Sequence, residues 1–283
     1  FKCLTFSAVN FYRSIVMTDT HIKGYSDIDL LVICEKYYSY DSASVKQILA
    51  SYNTRYSYSQ LSKLRSIDNA SPYTGNVYDD LRTIRVQSES ILSRKYLKCD
   101  ISHPKAIKIT NQDLHRDVDI VTAGWYDNVN SIINDQNITY RGIQVYDKVA
   151  NNRCAADYPF LSIERINTKS VNTGGRLKRM IRFLKNIKAD SKQKIDLSSF
   201  DINAICYNID IDAYKDLHYL YLVTIVFLQL HKIAYDESYA NSITSVDGKE
   251  YIFRGNNKRR EVATMLQNVS TIYSILKEQH LII

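Results

Sequence analysis

The chain has 283 residues, 45% apolar and 24% charged, a balance that excludes wholesale disorder and suits one large or two small domains. Only eight Gly and three Pro exclude collagen-like, propeller and linker-rich architectures. Thirty-seven Lys and Arg against 30 Asp and Glu leave a net charge of +7, which favours a polyanionic ligand such as a nucleotide or nucleic acid.

Five cysteines at positions 3, 34, 99, 154 and 206 form no CxxC pair, so a zinc ribbon or redox dithiol has little support. Scattered thiols suit the cytoplasm. The opening FKCLTFSAV has no charged region followed by a cleavage site, so no signal peptide is expected. The longest strongly apolar run, 219–228 (YLYLVTIVFL), is half the ~20 residues that a bilayer span needs. It reads as a buried helix, and no membrane partner is expected.

In chain order, β-branched runs of strand length lie at 28–34, 106–109, 118–122 and 139–145. Helical candidates at 42–65 and 77–96 separate the first two, and the second sets Leu81, Ile84, Ile91 and Leu92 on one stripe. From residue 172 onward the pattern is helical, at 173–189, 199–208, 214–235 and 258–278, with a polar interruption of strand character at 246–253. Mixed elements first and helices afterwards predict an α+β fold with a helical C-terminal lobe. The join near 151–166 carries Pro159 but no linker, so residues 1–160 and 161–283 are expected to pack as two lobes with a cleft. No repeat of 20–50 residues is evident.

The strongest local signal is Gly24-Tyr25-Ser26-Asp27-Ile28-Asp29, running into the apolar Leu30 to Ile33. Side chains alternate along a strand, so Asp27 and Asp29 share one face. Two carboxylates there repel unless a cation lies between them, the arrangement that holds a hard divalent metal beside phosphates. A second acidic strand start, Arg116-Asp117-Val118-Asp119, offers a third carboxylate, and spacing alone leaves Asp117 and Asp119 equivalent.

Ser14 to Ile33, SIVMTDTHIKGYSDIDLLVI, resembles the G-S-x(4)-T-x-I-x-G-x-S-D-I-D signature of polymerase-β-like nucleotidyltransferases. Within that superfamily the chain is most similar to the bacterial CD-NTases, relatives of cyclic GMP-AMP synthase and oligoadenylate synthase. VDIVTAGWYD, from Val118, resembles their V-D-V-V-P-A-x-W block, which selects Asp119 as third metal ligand and leaves Trp125 and Tyr126 as support. Asp27, Asp29 and Asp119 are then the catalytic and metal-binding set, and Ser14, Thr20 and Ser26 fall among the nucleotide-binding positions. Two departures stand out: the Gly-Ser pair is replaced by Ser14-Ile15, and the usual Pro is Thr122. Ile15 cannot donate the hydroxyl hydrogen bond to phosphate that the family's Ser provides.

Between 176 and 188, Leu177, Met180, Ile181, Leu184 and Ile187 recur at helical spacing and predict a core face. Lys178, Arg182 and Lys185 form a separate basic stripe, fit either for solvent or for a triphosphate. Lys188, on another azimuth, is expected to contribute little to NTP binding. Ser198-Ser199-Phe200 opens the next helix, where hydroxyls and free N–H groups suit an anion. By resemblance, Lys185 and Ser199 hold the donor triphosphate and Phe200 stacks on its base. The six histidines show no metal-ligand spacing.

The resemblance implies a nucleotidyltransferase core over 1–160 and a helical lobe over 161–283 that closes the nucleotide cleft. It implies two Mg²⁺ ions, with Mn²⁺ as a substitute, NTP substrates, and cyclic di- or trinucleotide products of bacterial anti-phage (CBASS) signalling. A downstream effector sensing the product and a regulatory RNA or protein are the expected partners of a cytoplasmic monomer. An enzyme modifying RNA ends or proteins is the alternative within the superfamily. A nucleotide- or nucleic-acid-binding pseudo-enzyme is the alternative that Ile15 keeps open.

Overall fold

The computed structural model describes residues 11–16, 28–51, 55–112, 116–255 and 257–282. They fall into two compact units, divided between Leu161 and Ser162.

The N-terminal unit is built on strands β1 (Phe11–Val16), β2 (Ile28–Tyr40), β3 (Cys99–Asp100), β4 (Ala106–Asn111), β5 (Arg116–Asp127), β6 (Gly142–Asp147) and β7 (Asn152–Asp157). They form one sheet in the order β1-β2-β5-β4-β3, with β6 pairing the later part of β5 and β7 pairing β6. The β2–β5 pair is parallel and every other pair antiparallel. A parallel pair needs a crossover, and the chain between these strands supplies it with helices α1 (Ser42–Ala50), α2 (Tyr58–Asp68) and α3 (Val77–Lys95).

Two faces of the central strands are buried differently. Leu92 of α3 covers Ile107, Ile109, Val118 and Ile120 on one side of the sheet. On the other, Leu31, Ile33, Ala123, Trp125 and Ile143 form a core with Phe160 packed against it. Phe160 belongs to α5 (Pro159–Val171), which starts at a proline, a residue suited to a first helical turn. Asp127, at the end of β5, is fully buried and takes a two-pronged ion pair from Arg141 at 2.9 Å on both oxygens. Short helix α4 (Val129–Ile133) follows it, with Ser131 also donating to Asp127.

In the C-terminal unit, α6 (Arg176–Asp190), α7 (Ser199–Tyr207), α8 (Leu222–Tyr235), α9 (Glu237–Ser242) and α10 (Lys258–Glu278) surround a single apolar cluster. Leu177, Met180, Ile181 and Leu184 of α6 all face it, as their spacing predicts. Among the described residues, no helix is long and apolar enough to cross a membrane.

Several elements differ from the sequence expectation for local physical reasons. The expected helix over 42–65 is broken, because Ser51 turns extended and Ser57 with Gln60 opens a new capping box. Helix α6 starts at Arg176 rather than 173, because Gly174 and Gly175 have φ of 55° and 83°, left-handed values at which glycine escapes the Cβ clash. The segment 246–253 contributes only an isolated bridge between Thr244 and Tyr251. The stretch 151–166 holds β7 and the start of α5.

Candidate active site

The parallel register of β2 and β5 pairs Asp29 with Asp119. Opposed residues on adjacent strands share a face about 5 Å apart, so the two carboxylates stand side by side. Asp29 is exposed and Asp119 half-buried, and toward the strand ends their face passes into the apolar cluster of Leu31, Ile33, Ala123 and Trp125. Like charges at such spacing repel by about 1 kcal/mol in water and by more where solvent thins. A hard divalent cation suits this pair of oxygen donors. Among the described residues no three His, Cys, Asp or Glu side chains stand together as a metal group. The remaining expected ligand, Asp27, lies outside the described residues, as do Thr20 and Ser26.

The antiparallel register of β4 and β5 places Lys108 opposite Asp119, on the side away from Asp29. The row therefore reads Asp29, Asp119, Lys108 across three strands. Sequence reasoning missed Lys108, because only the pairing of strands brings it to the carboxylates. Lys108 and Asp119 also line a cavity of ≈ 390 Å³ together with His103, Pro104, Lys105 and Ala106. The loop that forms this wall hangs on Arg85, which is fully buried on α3 and donates to the carbonyls of His103 and Ala106 at 2.8 Å. Asp117, the other expected candidate, pairs with Thr110 across β4 and accepts its hydroxyl at 2.7 Å.

Ser14 and Ile15 sit within β1, in register with Leu31 and Leu30 of β2. The pair that departs from the Gly-Ser pattern is thus part of a ladder.

In the helical unit, Lys185 is 6% exposed, and burial lowers its pKa to about 8, with the neighbouring Lys188 pushing the same way and the Cys206 thiol opposing it. Burial also raises the Cys206 thiol, so that neighbour is neutral near physiological pH. Lys178 and Arg182 are half-buried. Arg182 lines a cavity of ≈ 330 Å³ with Arg179, Phe183 and Tyr219, where the Arg179 guanidinium lies 3.9 Å from the centre of the Tyr219 ring. The basic stripe is therefore divided, with Lys185 sunk into the unit and the other two nearer solvent. The Lys188 ammonium donates to the Leu197 carbonyl at 2.6 Å, tying α6 to the segment before α7.

That segment ends in a capping box. Ser198 Oγ accepts the Asp201 N–H, and Asp201 accepts the Ser198 N–H in return. Ser198 is thereby committed to the cap, and Ser199 is the exposed hydroxyl in the first turn of α7. Phe200 is half-buried and packs on the helical core, so part of its ring is held by the fold.

Residues 164–274 match the family model of the cGAS/DncV-like nucleotidyltransferase C-terminal helical domain, CD_NTase_C. The chain is 50% identical over 268 residues to a c-di-GMP synthase of Capnocytophaga granulosa, covering 94% of this chain and 76% of that protein. It is 45% identical over 260 residues to a c-di-GMP synthase of a Lachnospiraceae bacterium, covering 91% and 74%. Its fold superimposes on a STING-associated CdnE c-di-GMP synthase from Flavobacteriaceae sp. with a TM-score of 0.84 at 39% identity, covering 96% of this chain and 77% of that one. An α+β sheet unit, a helical C-terminal unit and similarity along almost the whole length establish that the chain belongs to the CD-NTase family of nucleotidyltransferases.

Proposed function

We propose that this nucleotidyltransferase joins two molecules of GTP into cyclic di-GMP with a divalent metal, Mg²⁺ or Mn²⁺, held by Asp27, Asp29 and Asp119. The observation that carries the reading is the register pairing of Asp29 with Asp119, in a chain half-identical to a c-di-GMP synthase. When bound, two such ions would neutralise the phosphates and favour ionisation of the attacking hydroxyl. Asp29 and Asp119, fixed on neighbouring strands, present their oxygens without having to reorganise. Lys108, next in the row, adds positive charge where pyrophosphate or an acceptor phosphate carries negative charge.

In the helical unit, Lys185 serves as a point charge for the donor triphosphate, and Ser199 adds a hydroxyl at the start of α7. Lys178 and Arg182 extend the positive field, and the exposed part of Phe200 offers a stacking face for the base. Ser14, Thr20 and Ser26 complete the nucleotide contacts. In each round a ribose 3′-hydroxyl attacks an α-phosphorus, a phosphodiester forms, and pyrophosphate leaves with the electron pair of the broken bond. The first round gives a linear dinucleotide, and the second closes the ring. The N-terminal unit carries the chemistry and the helical unit the donor triphosphate. A STING-type effector responding to the product, in an anti-phage setting, is the partner that the Flavobacteriaceae likeness supports.

The test is incubation with each labelled NTP alone and in pairs, with Mg²⁺ or Mn²⁺, followed by phosphatase treatment and mass spectrometry. GTP alone should yield a phosphatase-resistant product with the mass of cyclic di-GMP. A product requiring another base, or linear chains only, would replace this reading with a different nucleotidyl transfer.

A further inference from the structure

The capping box of α7 contains a buried charge. Asp201 is 1% exposed, and its Oδ2 accepts the Ser198 N–H at 2.8 Å and the Ser198 hydroxyl at 2.7 Å. Its other oxygen, Oδ1, accepts Lys258 Nζ at 2.7 Å. Lys258 is the first residue of α10, and one turn later Glu261 accepts the Asp196 N–H at 2.7 Å. The first turn of α10 therefore holds both ends of the segment 196–201.

This arrangement bears on anion binding. A helix start attracts anions through its unpaired N–H groups and dipole, but a bare carboxylate in the same turn would oppose a triphosphate at close range. Asp201 stands two residues from Ser199, so its charge must be offset if that end of α7 is to receive phosphate. Lys258 supplies the offset and also keeps Asp201 turned into the cap.

We propose that Lys258 is a positioning residue for nucleotide binding, neutralising the buried Asp201 so that the start of α7 accepts the donor triphosphate. The proposal rests on the reading of Ser199 as a triphosphate contact. It is tested with Lys258→Met, Lys258→Arg, Asp201→Asn with Lys258→Met, and Ser199→Ala. Each variant is measured for half-saturating GTP, kcat, thermal midpoint and calorimetric affinity for a non-hydrolysable GTP analogue.

Lys258→Met should weaken GTP and analogue binding about three- to tenfold, the order expected for one solvent-screened charge near a surface, with kcat within about twofold. Lys258→Arg, and Asp201→Asn combined with Lys258→Met, should each return binding to within about twofold of the parent. A merely structural Lys258 would lower the thermal midpoint without this reversal. Unchanged binding in Lys258→Met while Ser199→Ala weakens it would overturn the proposal, as would a defect that persists in the folded double variant. No effect of Ser199→Ala would instead overturn the reading on which the proposal rests.

Discussion

Asp29 of β2 and Asp119 of β5 are partners across a parallel ladder, and Lys108 of β4 is the next residue in the same row. Of the two acidic residues that local sequence leaves equivalent, the register sets Asp119 opposite Asp29. Asp119 lies beside Asp29, whereas Asp117 accepts a hydrogen bond from Thr110. Asp29→Asn and Asp119→Asn should each lower product formation by at least about a thousandfold, because metal ligation needs the charge while Asn keeps the shape. Asp117→Asn should retain turnover within about tenfold. Loss in Asp117→Asn with retention in Asp119→Asn, both proteins folded by circular dichroism, would move the metal site two residues along the strand.

The proposed triphosphate role of Lys185 carries a pH dependence. Burial lowers its pKa from 10.5 to about 8, so it is charged below pH 8 and loses its proton above. Because only the ammonium attracts phosphate, KM for GTP should rise with pH beyond about 8, whereas a lysine with its ordinary pKa would leave KM flat to about 10. Bound triphosphate favours the charged form, so the rise begins near 8 and levels off once the lysine of the complex also titrates. Lys185→Ala should raise KM at pH 7 and flatten this dependence. A KM profile between pH 7 and 9 that is identical in the parent and in Lys185→Ala would refute the assignment.

The strands bearing Asp29 and Asp119 were legible in sequence because acidic starts run into apolar β-branched residues, and the core face of α6 was legible from helical spacing. What escaped depends on contacts distant in sequence. Strand β7, NRCAAD, has no β-branched residue and owes its extended form to pairing with β6. Lys108 looks like an ordinary solvent-facing strand lysine until β4 pairs with β5. Lys188 follows the same logic: its helical azimuth suggests solvent, but its long stem reaches the chain that leads into α7.

Lys188 should therefore matter in a way that a solvated lysine would not. Its bond to the Leu197 carbonyl is charge-assisted and part-buried, so Lys188→Ala should cost about 1–2 kcal/mol of stability. By loosening the residues before Ser199 it should also raise KM for GTP several-fold, less than Lys185→Ala does. Denaturant unfolding and steady-state kinetics on both variants check this. Wild-type stability together with wild-type KM in Lys188→Ala would mean that the contact carries no weight.

The Asp127–Arg141 pair predicts the opposite pattern, lost stability with the chemistry intact. Asp127 is fully buried, and Arg141 meets both of its oxygens at 2.9 Å while its guanidinium lies 4.2 Å from the centre of the Trp125 ring. Ser131 and Gln136 add hydrogen bonds at 3.0 and 3.1 Å. Removing only the arginine strands a carboxylate in the interior, at a cost of about 3–5 kcal/mol, far above the loss of an exposed ion pair. At about 2–4 °C per kcal/mol for a protein of this size, Arg141→Met should lower Tm by roughly 10 °C. Asp127→Asn in the same protein should recover part of that, because the buried charge is gone while the remaining side-chain oxygen still accepts the Ser131 hydroxyl, and the new amide can donate to Gln136 once that side chain turns its oxygen inward. Neither residue belongs to the carboxylate row, so kcat/KM measured well below the transition should stay within a few-fold of the parent. A fall in Tm of less than about 2 °C in Arg141→Met would show that water reaches Asp127 and that the pair is not the anchor at the end of β5.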